Sequence, residues 1–465
     1  VTLSVDGTSI NSSNQVTINA TLSSSVSGTT VVNFSTSGDA TKHLDYIHDG
    51  KNKGETIISN LDQPYGVDFL NNEIYVADYN NHRIIKASTI SFPSTGTVVA
   101  GGNGGDNGAN QLRLPTGVFL DGSGNIYVTD FFNHRVQKFP TNSTSSTNGV
   151  LVAGGNFSGA GVNQLNGPRK TFVNNIGRMF VVEWLNDRVS LWDPPDCCTQ
   201  LTSISRIGGS DLQDPDGITV NSNGDIYVSD TGNDRIMKYA SGSSSGTEIA
   251  GDAVRGNEDY RLNQPRGIIL DNNSNLFISD WGNNRVQLWL NGASTGITVA
   301  GGNGAGSTSD KLNMPWDVAI DATNDFIFVA DAQNNRVQRF SLNPIIVIPA
   351  GATSGTAVIS LPSSGSSNNK TLTLTPSVSS GASLASSAAI SLAINDDIVP
   401  SMTISATNGS SAVTDGAVSN DATLTLTFTS SRATTNFTAS DITITNGTIS
   451  SFTASSSTVY TANFT

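Results

Sequence analysis

The 465-residue chain is only 13% charged, with a formal net charge of −14 and a sequence pI of about 4.6. That acidic balance excludes nucleic acid and anionic lipid as natural partners, because both need a cationic surface. No apolar run is long enough to span a bilayer, and the length exceeds what one hydrophobic core holds, so several domains are expected. Runs of Val, Ile, Thr, Phe and Tyr alternate with polar residues and show no helical period, which predicts an all-β chain. The chain opens without Met or a signal-peptide pattern, as expected of a processed product or a fragment.

Residues 1–49 read as antiparallel strands: Val1-Thr-Leu-Ser-Val5, Gln15-Val-Thr-Ile-Asn-Ala-Thr-Leu22 and Thr30-Val-Val-Asn-Phe-Ser35. Three strands are few for a stable pair of sheets, so another part of the chain must complete them.

Residues 50–341 are a repeat region. An acid, an Asn three residues on and an Arg two further recur six times, at Asp78/Asn81/Arg83, Asp130/Asn133/Arg135, Glu183/Asn186/Arg188, Asp230/Asn233/Arg235, Asp280/Asn283/Arg285 and Asp331/Asn334/Arg336. Steps between successive Arg residues are 52, 53, 47, 50 and 51. An apolar strand precedes each acid and a β-branched residue follows each Arg, which predicts strand–turn–strand units with the acid and the Arg as structural residues of the turn. Upstream lies a Pro-x-Gly signature, at Pro64-Tyr65-Gly66, Pro115-Thr116-Gly117, Pro215-Asp216-Gly217 and Pro265-Arg266-Gly267; the third and sixth copies, Pro168-Arg169-Lys170 and Pro315-Trp316-Asp317, lack the Gly. A fourth strand before each Pro gives six four-stranded units, a six-bladed propeller that hides most sheet edges. The first Pro is preceded by Glu55-Thr-Ile-Ile-Ser59, an outer strand, whereas none follows the sixth unit. Residues 55–59 should therefore complete the last blade and bring the two ends of the ring together.

The only two cysteines are neighbours, Cys197-Cys198, in the loop Asp193-Pro-Pro-Asp-Cys-Cys-Thr199. Consecutive Cα atoms lie about 3.8 Å apart, so a vicinal disulfide is open to them but strained; two free thiols or links to another chain are the alternatives. Residues 342–397 resume the alternation of 1–49, so both read as halves of one sandwich with the propeller inserted between them. From 398 to 465 a new alternation reads as a second sandwich that stops in mid-strand. The expected fold is all-β: a six-bladed β-propeller inserted into a β-sandwich, plus a second C-terminal β-sandwich.

The Pro-x-Gly, Ile74-Tyr-Val-Ala-Asp78 and Asn-x-Arg elements resemble those of NHL-repeat propellers. Residues 1–49 with 342–397 resemble a Calx-β domain, through Asp45-Tyr46, Ile348-Pro-Ala-Gly-Ala-Thr-Ser-Gly355 and Asp396-Asp397. The last segment is similar to bacterial immunoglobulin-like domains, through Ser440-Asp-Ile-Thr-Ile-Thr-Asn-Gly-Thr448 and the closing Tyr460-Thr-Ala-Asn-Phe464. The Calx-β resemblance implies calcium held by Asp45, Asp396 and Asp397, a set of hard oxygen donors. Asn11 stands where that family has an acid, and Leu361-Pro-Ser-Ser-Gly-Ser-Ser-Asn-Asn369 replaces its usual acidic run, so an unoccupied site is equally consistent.

A requirement repeated in every blade is a requirement of the blade. The six acids are read as acceptors for turn amides, the Asn as the residue tolerating a left-handed turn, and the Arg as a tie from loop to blade. Positions that differ between blades are better clues to function. The residue after each acid is Tyr79, Phe131, Trp184, Thr231, Trp281 or Ala332, and Phe132 adds a further ring; the residue after each Pro is Tyr65, Thr116, Arg169, Asp216, Arg266 or Trp316. Both sets open on one propeller face, so Tyr65, Tyr79, Phe131, Phe132, Trp184, Trp281, Trp316, Arg169 and Arg266 form the candidate ligand or partner face, with protein or glycan as partner; packing onto neighbouring loops is the structural alternative. Asn-x-Ser/Thr sequons at Asn11, Asn19, Asn33, Asn142, Asn156, Asn272, Asn369, Asn408, Asn436, Asn446 and Asn463 matter only in a glycosylating host. Histidines are four, His43, His48, His82 and His134, and neither their placement nor a Gly-x-Ser-x-Gly elbow suggests an active site. The reading is a secreted or cell-surface, non-enzymatic adhesion or structural module, joined to neighbouring domains of a longer chain or fibre. A glycan- or ligand-binding sensor ectodomain is the alternative, and a metal-dependent lyase or lactonase the outsider.

Overall fold

The computed structural model describes residues 1–5, 9–10, 15–23, 30–38, 47–48, 54–192, 207, 211–343, 345–348, 353–360, 370–378, 384–386, 388–394, 402–409, 411–414, 422–430, 437–444 and 447–465. Two compact units divide the chain, Val1–Asn395 and Asp396–Thr465.

Six blades make up most of the first unit. In blade two, Pro115–Leu120, Ile126–Asp130, Arg135–Phe139 and Val150–Gly154 pair antiparallel in chain order. Blades one, four and five repeat that order, starting at Pro64–Leu70, Ile218–Val220 and Pro265–Leu270. Three strands of blade three are described, with Ile207 bridging Val189 on the outer side. Blade six is Pro315–Ile320, Phe326–Asp331 and Arg336–Ser341, and its fourth strand is Glu55–Ile58 from the other end of the repeat region, paired through Ile58 with Val337 and Glu55 with Arg339. The expected closure is therefore present. Arg339 secures it with an ion pair to Glu55, its guanidinium lying over the rings of Phe92 at 4.4 Å and Phe326 at 4.3 Å.

Alternation within the strands explains the ring. Each blade turns one row of side chains to each neighbour, so the apolar residues gather in wedges between blades rather than in one central core. Tyr75, Ala77 and Ile84 of blade one meet Val118, Val128 and Phe139 of blade two, and Phe277 and Leu288 of blade five meet Val329 and Phe340 of blade six. Ile57 and Ile58 of the closing strand complete the wedge between blades six and one.

Flanking segments form two further sheets. One runs Thr2–Val5, Gln15–Thr21, Ser354–Ser360, Ile47–His48; the other runs Ser9–Ile10, Ile390–Ile394, Lys370–Val378, Thr30–Gly38, Ile345–Ile348. Both mix strands from before and after the propeller, and Ile18, Ala20, Val32, Phe34, Leu372, Leu374 and Leu392 are buried in them. The propeller is thus inserted in a sandwich in which strands from before it pair with strands from after it.

In the second unit the described strands form one sheet, ordered Ser411–Val413, Met402–Asn408, Leu424–Ser430, Val459–Phe464, Ile449–Ala454. Phe428 and Tyr460 are buried on one face beneath Phe437 and Phe452, with the Phe437 and Tyr460 rings edge to face at 5.1 Å.

Candidate functional site

The six repeated acids have no exposed surface, and every one is consumed by its own blade. In blade five, Asp280 Oδ1 accepts the Asn263 amide at 2.8 Å while Oδ2 accepts Asn283 Nδ2 at 2.8 Å and Arg285 Nε at 2.7 Å. The same three donors converge on Asp78, Asp130, Glu183, Asp230 and Asp331, with Arg Nε at 2.7–2.8 Å throughout. Most of the Arg residues then hold the preceding loop, as Arg135 does by donating to the carbonyls of Asn107, Gly108 and Gln111. A buried carboxylate needs several such donors, and here the set comes from within each blade.

The expected placement of the arginines in the turn is corrected, most sharply at Arg188. This residue is the first of the strand Arg188–Trp192, pairs in register with Glu183 across the ladder, and is buried. The register places Arg188 on the same side of the sheet as its inward-facing acid. Arg188 donates Nε to Glu183 Oε1 at 2.7 Å, Nη2 to Oε2 at 3.2 Å and Nη1 to the Ala160 carbonyl at 3.2 Å. It is the one copy whose guanidinium donates to both oxygens of its acid among the bonds described, and it stands opposite the one Glu. Arg135 and Arg285 likewise begin strands and are buried, whereas Arg83, Arg235 and Arg336 begin strands and keep more of their surface in solvent.

The expected role of the Asn is corrected too. It donates to the acid, and the left-handed residue is the next one: His82, His134, Asp187, Asp234, Asn284 and Asn335, all with φ between 48° and 55°. The side chains of these six also share a task that sequence reasoning missed. Each accepts a backbone amide from the following blade, just ahead of its signature Pro: His82 Nδ1 from Leu114 at 3.1 Å, His134 Nδ1 from Gly167 at 3.2 Å, Asp187 from Asp214, Asp234 from Gln264, Asn284 from Met314, and Asn335 from Gln63 at 3.0 Å. The last of these crosses the closure. The signal was legible, since the position is restricted to His, Asp and Asn, residues that accept hydrogen bonds and tolerate αL. Two of the four histidines are thereby inter-blade staples. Burial holds His134 below the usual imidazole range, which suits an acceptor nitrogen.

At one mouth of the channel the variable residues gather into a single network. Tyr65 stacks between Tyr79 at 4.2 Å and Trp316 at 3.6 Å. Arg266 lies over Trp316 at 3.9 Å and over Trp281 at 4.9 Å, and its Nη1 donates to Asp216 at 2.8 Å. Arg169 lies over Trp184 at 4.4 Å and Phe131 at 4.6 Å. Trp316, Arg169 and Asp216 are buried, whereas Tyr65, Tyr79, Phe131, Trp184, Trp281 and Arg266 are half-buried. The rings thus pack on one another and on two guanidinium planes. Phe132 stands apart, exposed beneath Arg113 at 3.9 Å. Burial pushes the Tyr65 hydroxyl up to about 12, so the network is neutral at its phenols in any ordinary buffer.

One residue further along each first strand the channel narrows. Gly66, Gly117, Gly217 and Gly267 sit against the neighbouring strand; a Cβ on Gly217 would run into the Arg266 carbonyl, and one on Gly267 into Asp317. The two copies without Gly are blades three and six, which face each other in a ring of six. Their Lys170 and Asp317 form an ion pair across the channel, with Asp317 also accepting the Val67 amide at 2.9 Å. The sequence displayed this pair as two departures from a signature, of opposite charge and three blades apart.

Beyond the pair lies a cavity of about 360 Å³ walled by Phe119, Phe172, Thr219 and Asp68, with Asn221, Ser222 and Asn272 at its rim. Asp68 accepts the Leu120 amide at 2.7 Å, and burial pushes its carboxyl up to about 6, partly opposed by Lys170. Because the folded value lies above the ordinary 3.8, the fold favours neutral Asp68; that stability is complete below about pH 4 and is lost as pH rises through 6. The expected result is that wild type loses about 2–3 kcal/mol relative to Asp68→Asn between pH 4 and pH 7. Urea unfolding of both proteins across that range measures it, and a constant difference would refute it.

The cysteines Cys197 and Cys198 and the calcium candidates Asp45, Asp396 and Asp397 lie outside the described residues, as do Asn11, Asn369, Asn436 and Asn446. Among the described residues, no group of three or more metal-ligating side chains clusters. Of the other sequons, Asn142, Asn156 and Asn272 are exposed; Asn19, Asn408 and Asn463 are half-buried, and Asn33 lies in a sandwich strand.

The NHL-repeat family model matches residues 61–86, 112–139, 212–239 and 312–340, in blades one, two, four and six and the loops that lead into them. A bacterial Ig-like domain model matches residues 396–465. No curated protein matches the chain in sequence. Among solved structures the chain is similar to a gluconolactonase from Xanthomonas campestris, at 14% identity and TM-score 0.47 over 66% of this chain and 96% of that one. It is similar to an auxiliary nutrient binding protein from Bacteroides ovatus, at 12% and 0.45 over 72% and 96%. It is also similar to virginiamycin B lyase from Staphylococcus aureus, at 11% and 0.37 over 66% and 98%.

Proposed function

From an NHL-repeat propeller and a bacterial Ig-like domain on one chain, we propose a non-enzymatic, extracellular interaction module of a larger surface or fibre protein, with the propeller as its platform. One observation carries the reading. Everything the blades share, the acids, the arginines and the αL acceptors, is spent inside the ring, while most of what differs between them converges on one mouth. That mouth is aromatic and cationic on an otherwise acidic chain, the combination expected of a recognition surface. The sandwich strands that flank the propeller serve as its support.

Trp184 and Trp281 are the half-buried rings to remove, because each contributes one face to an arginine and keeps part of its surface in solvent. On glycan and protein arrays the wild-type chain should bind, and Trp184→Ala with Trp281→Ala should lower that binding by about 30-fold or more, as for interface hot spots worth about 2 kcal/mol. Absence of any binding by the wild type would sink the platform reading. A sensor ectodomain would use the same mouth, and the identity of the bound partner separates the two. The outsider, a metal-dependent lyase or lactonase, requires a tightly held metal, which elemental analysis of the purified protein would detect.

A further inference from the structure

Within the mouth, two guanidinium groups share a single carboxylate, and it satisfies only one of them. Asp216 Oδ2 accepts Arg266 Nη1 at 2.8 Å, whereas Arg169 Nε approaches it no closer than 3.7 Å, too far for a hydrogen bond. Arg169 is 9% exposed and its Nε has no hydrogen-bond partner; Arg266 Nε has none either. The aromatic rings around Arg169 do not replace the missing acceptor. Trp184 and Phe131 meet the guanidinium through its charge, and a ring cannot offer the paired oxygens that match two adjacent N–H groups. Burial lowers the affinity of Arg169 for its proton, with Asp216 opposing that shift and Arg266 adding to it. A buried, under-paired arginine is costly unless something else completes it. The chain carries a net charge of −14, yet among the described residues Asp216 is the one acid that an ion pair records beside Arg169.

The geometry points to a site for one carboxylate supplied by the ligand, carried on the pyranose ring of an acidic saccharide. This rests on the platform reading of the mouth. Arg169 would bind the carboxylate, while the half-buried rings of Phe131 and Trp184 beside it give the flat apolar surface against which a sugar ring rests. Asp216 keeps Arg266 occupied, so a single negative charge completes the network and a second finds no partner.

The test is titration calorimetry of the full chain with methyl β-glucuronide, methyl β-glucoside, a 6-sulfated glucoside and a short Glu-terminated peptide. The glucuronide should bind at least about tenfold more tightly than the glucoside, and the advantage should shrink as salt rises from about 0.05 to about 0.5 M. Arg169→Met should abolish the advantage and Arg169→Lys should keep only part of it, because an ammonium has charge without the planar fork. Arg113→Met, at the separate Phe132, should leave it unchanged. Thermal unfolding of each variant confirms that the fold persists. Equal binding of glucuronide and glucoside overturns this inference and leaves the platform reading standing, whereas the absence of saccharide binding overturns the inference and an array negative for every partner overturns both. Stronger binding of the sulfated sugar or the peptide also overturns it, as does an undiminished advantage in a folded Arg169→Met protein.

Discussion

Asp280→Ala is expected to destabilise the propeller by about 4 kcal/mol, because it strands Arg285 with only 7% of its side chain exposed. The same change at Asp78 should cost about 2 kcal/mol, since the Arg83 side chain is 28% exposed and can turn to water. The acid–Asn–Arg hub is the same at the two sites, but Arg285 also donates to the carbonyls of Asn257, Glu258 and Arg261, so the gap reports the burial of the cation less what those acceptors retain. Urea unfolding of the two variants side by side measures it. Losses below about 1 kcal/mol at both positions would show that the acid–Asn–Arg hub is dispensable.

The second large effect concerns the channel. Lys170→Gly alone should cost about 3–5 kcal/mol, because Asp317 is 2% exposed and one of its oxygens already lacks a partner. Asp317→Gly should cost less, because Lys170 keeps 14% of its side chain in solvent and the Asp68 carboxyl nearby. Together they place Gly in all six copies of the signature, the arrangement four blades already have, and the loss should fall to about 1 kcal/mol. The coupling in that double-mutant cycle is then several kcal/mol. Additive losses would mean that the two residues do not act as a pair.

Repetition made most of the architecture readable. Six spaced acid–Asn–Arg sets fix six blades whatever the loops do, and an orphan outer strand at Glu55 with no counterpart after Phe340 implies closure by the first strand. The insertion followed from two half-sandwiches that could not fold alone. Repetition also hid things. Within Asp-x-x-Asn-x-Arg the invariant Asn stands out as the αL candidate, whereas the neighbouring position, filled by His, Asp or Asn, carries that task and the inter-blade bond. Arg188 read as a turn residue because spacing shows where a turn falls but not which side of the ladder its last residue faces. Lys170 and Asp317 looked like lapses in a signature, because a pairing between blades three apart is visible only once the ring has closed. The mouth was partly legible. Variability between blades marks its residues, but their mutual stacking depends on side-chain directions that spacing does not encode.

The closing strand has a consequence in time. Ile58 pairs with Val337, and Thr30–Gly38 of the sandwich pairs with Lys370–Val378. A ribosome adding about 5–20 residues per second needs roughly 15–55 s to travel from the first partner of the ring to the second. Throughout that interval the opening strands are open edges, able to pair with another nascent chain. In the sequence, Lys51, Lys53 and Glu55 put charge next to Thr56-Ile-Ile58, the kind of residue that discourages such pairing. The hazard for this protein is therefore greatest on the ribosome, before the ring exists, and crowding among polysomes sets how often two unfinished propellers share a strand.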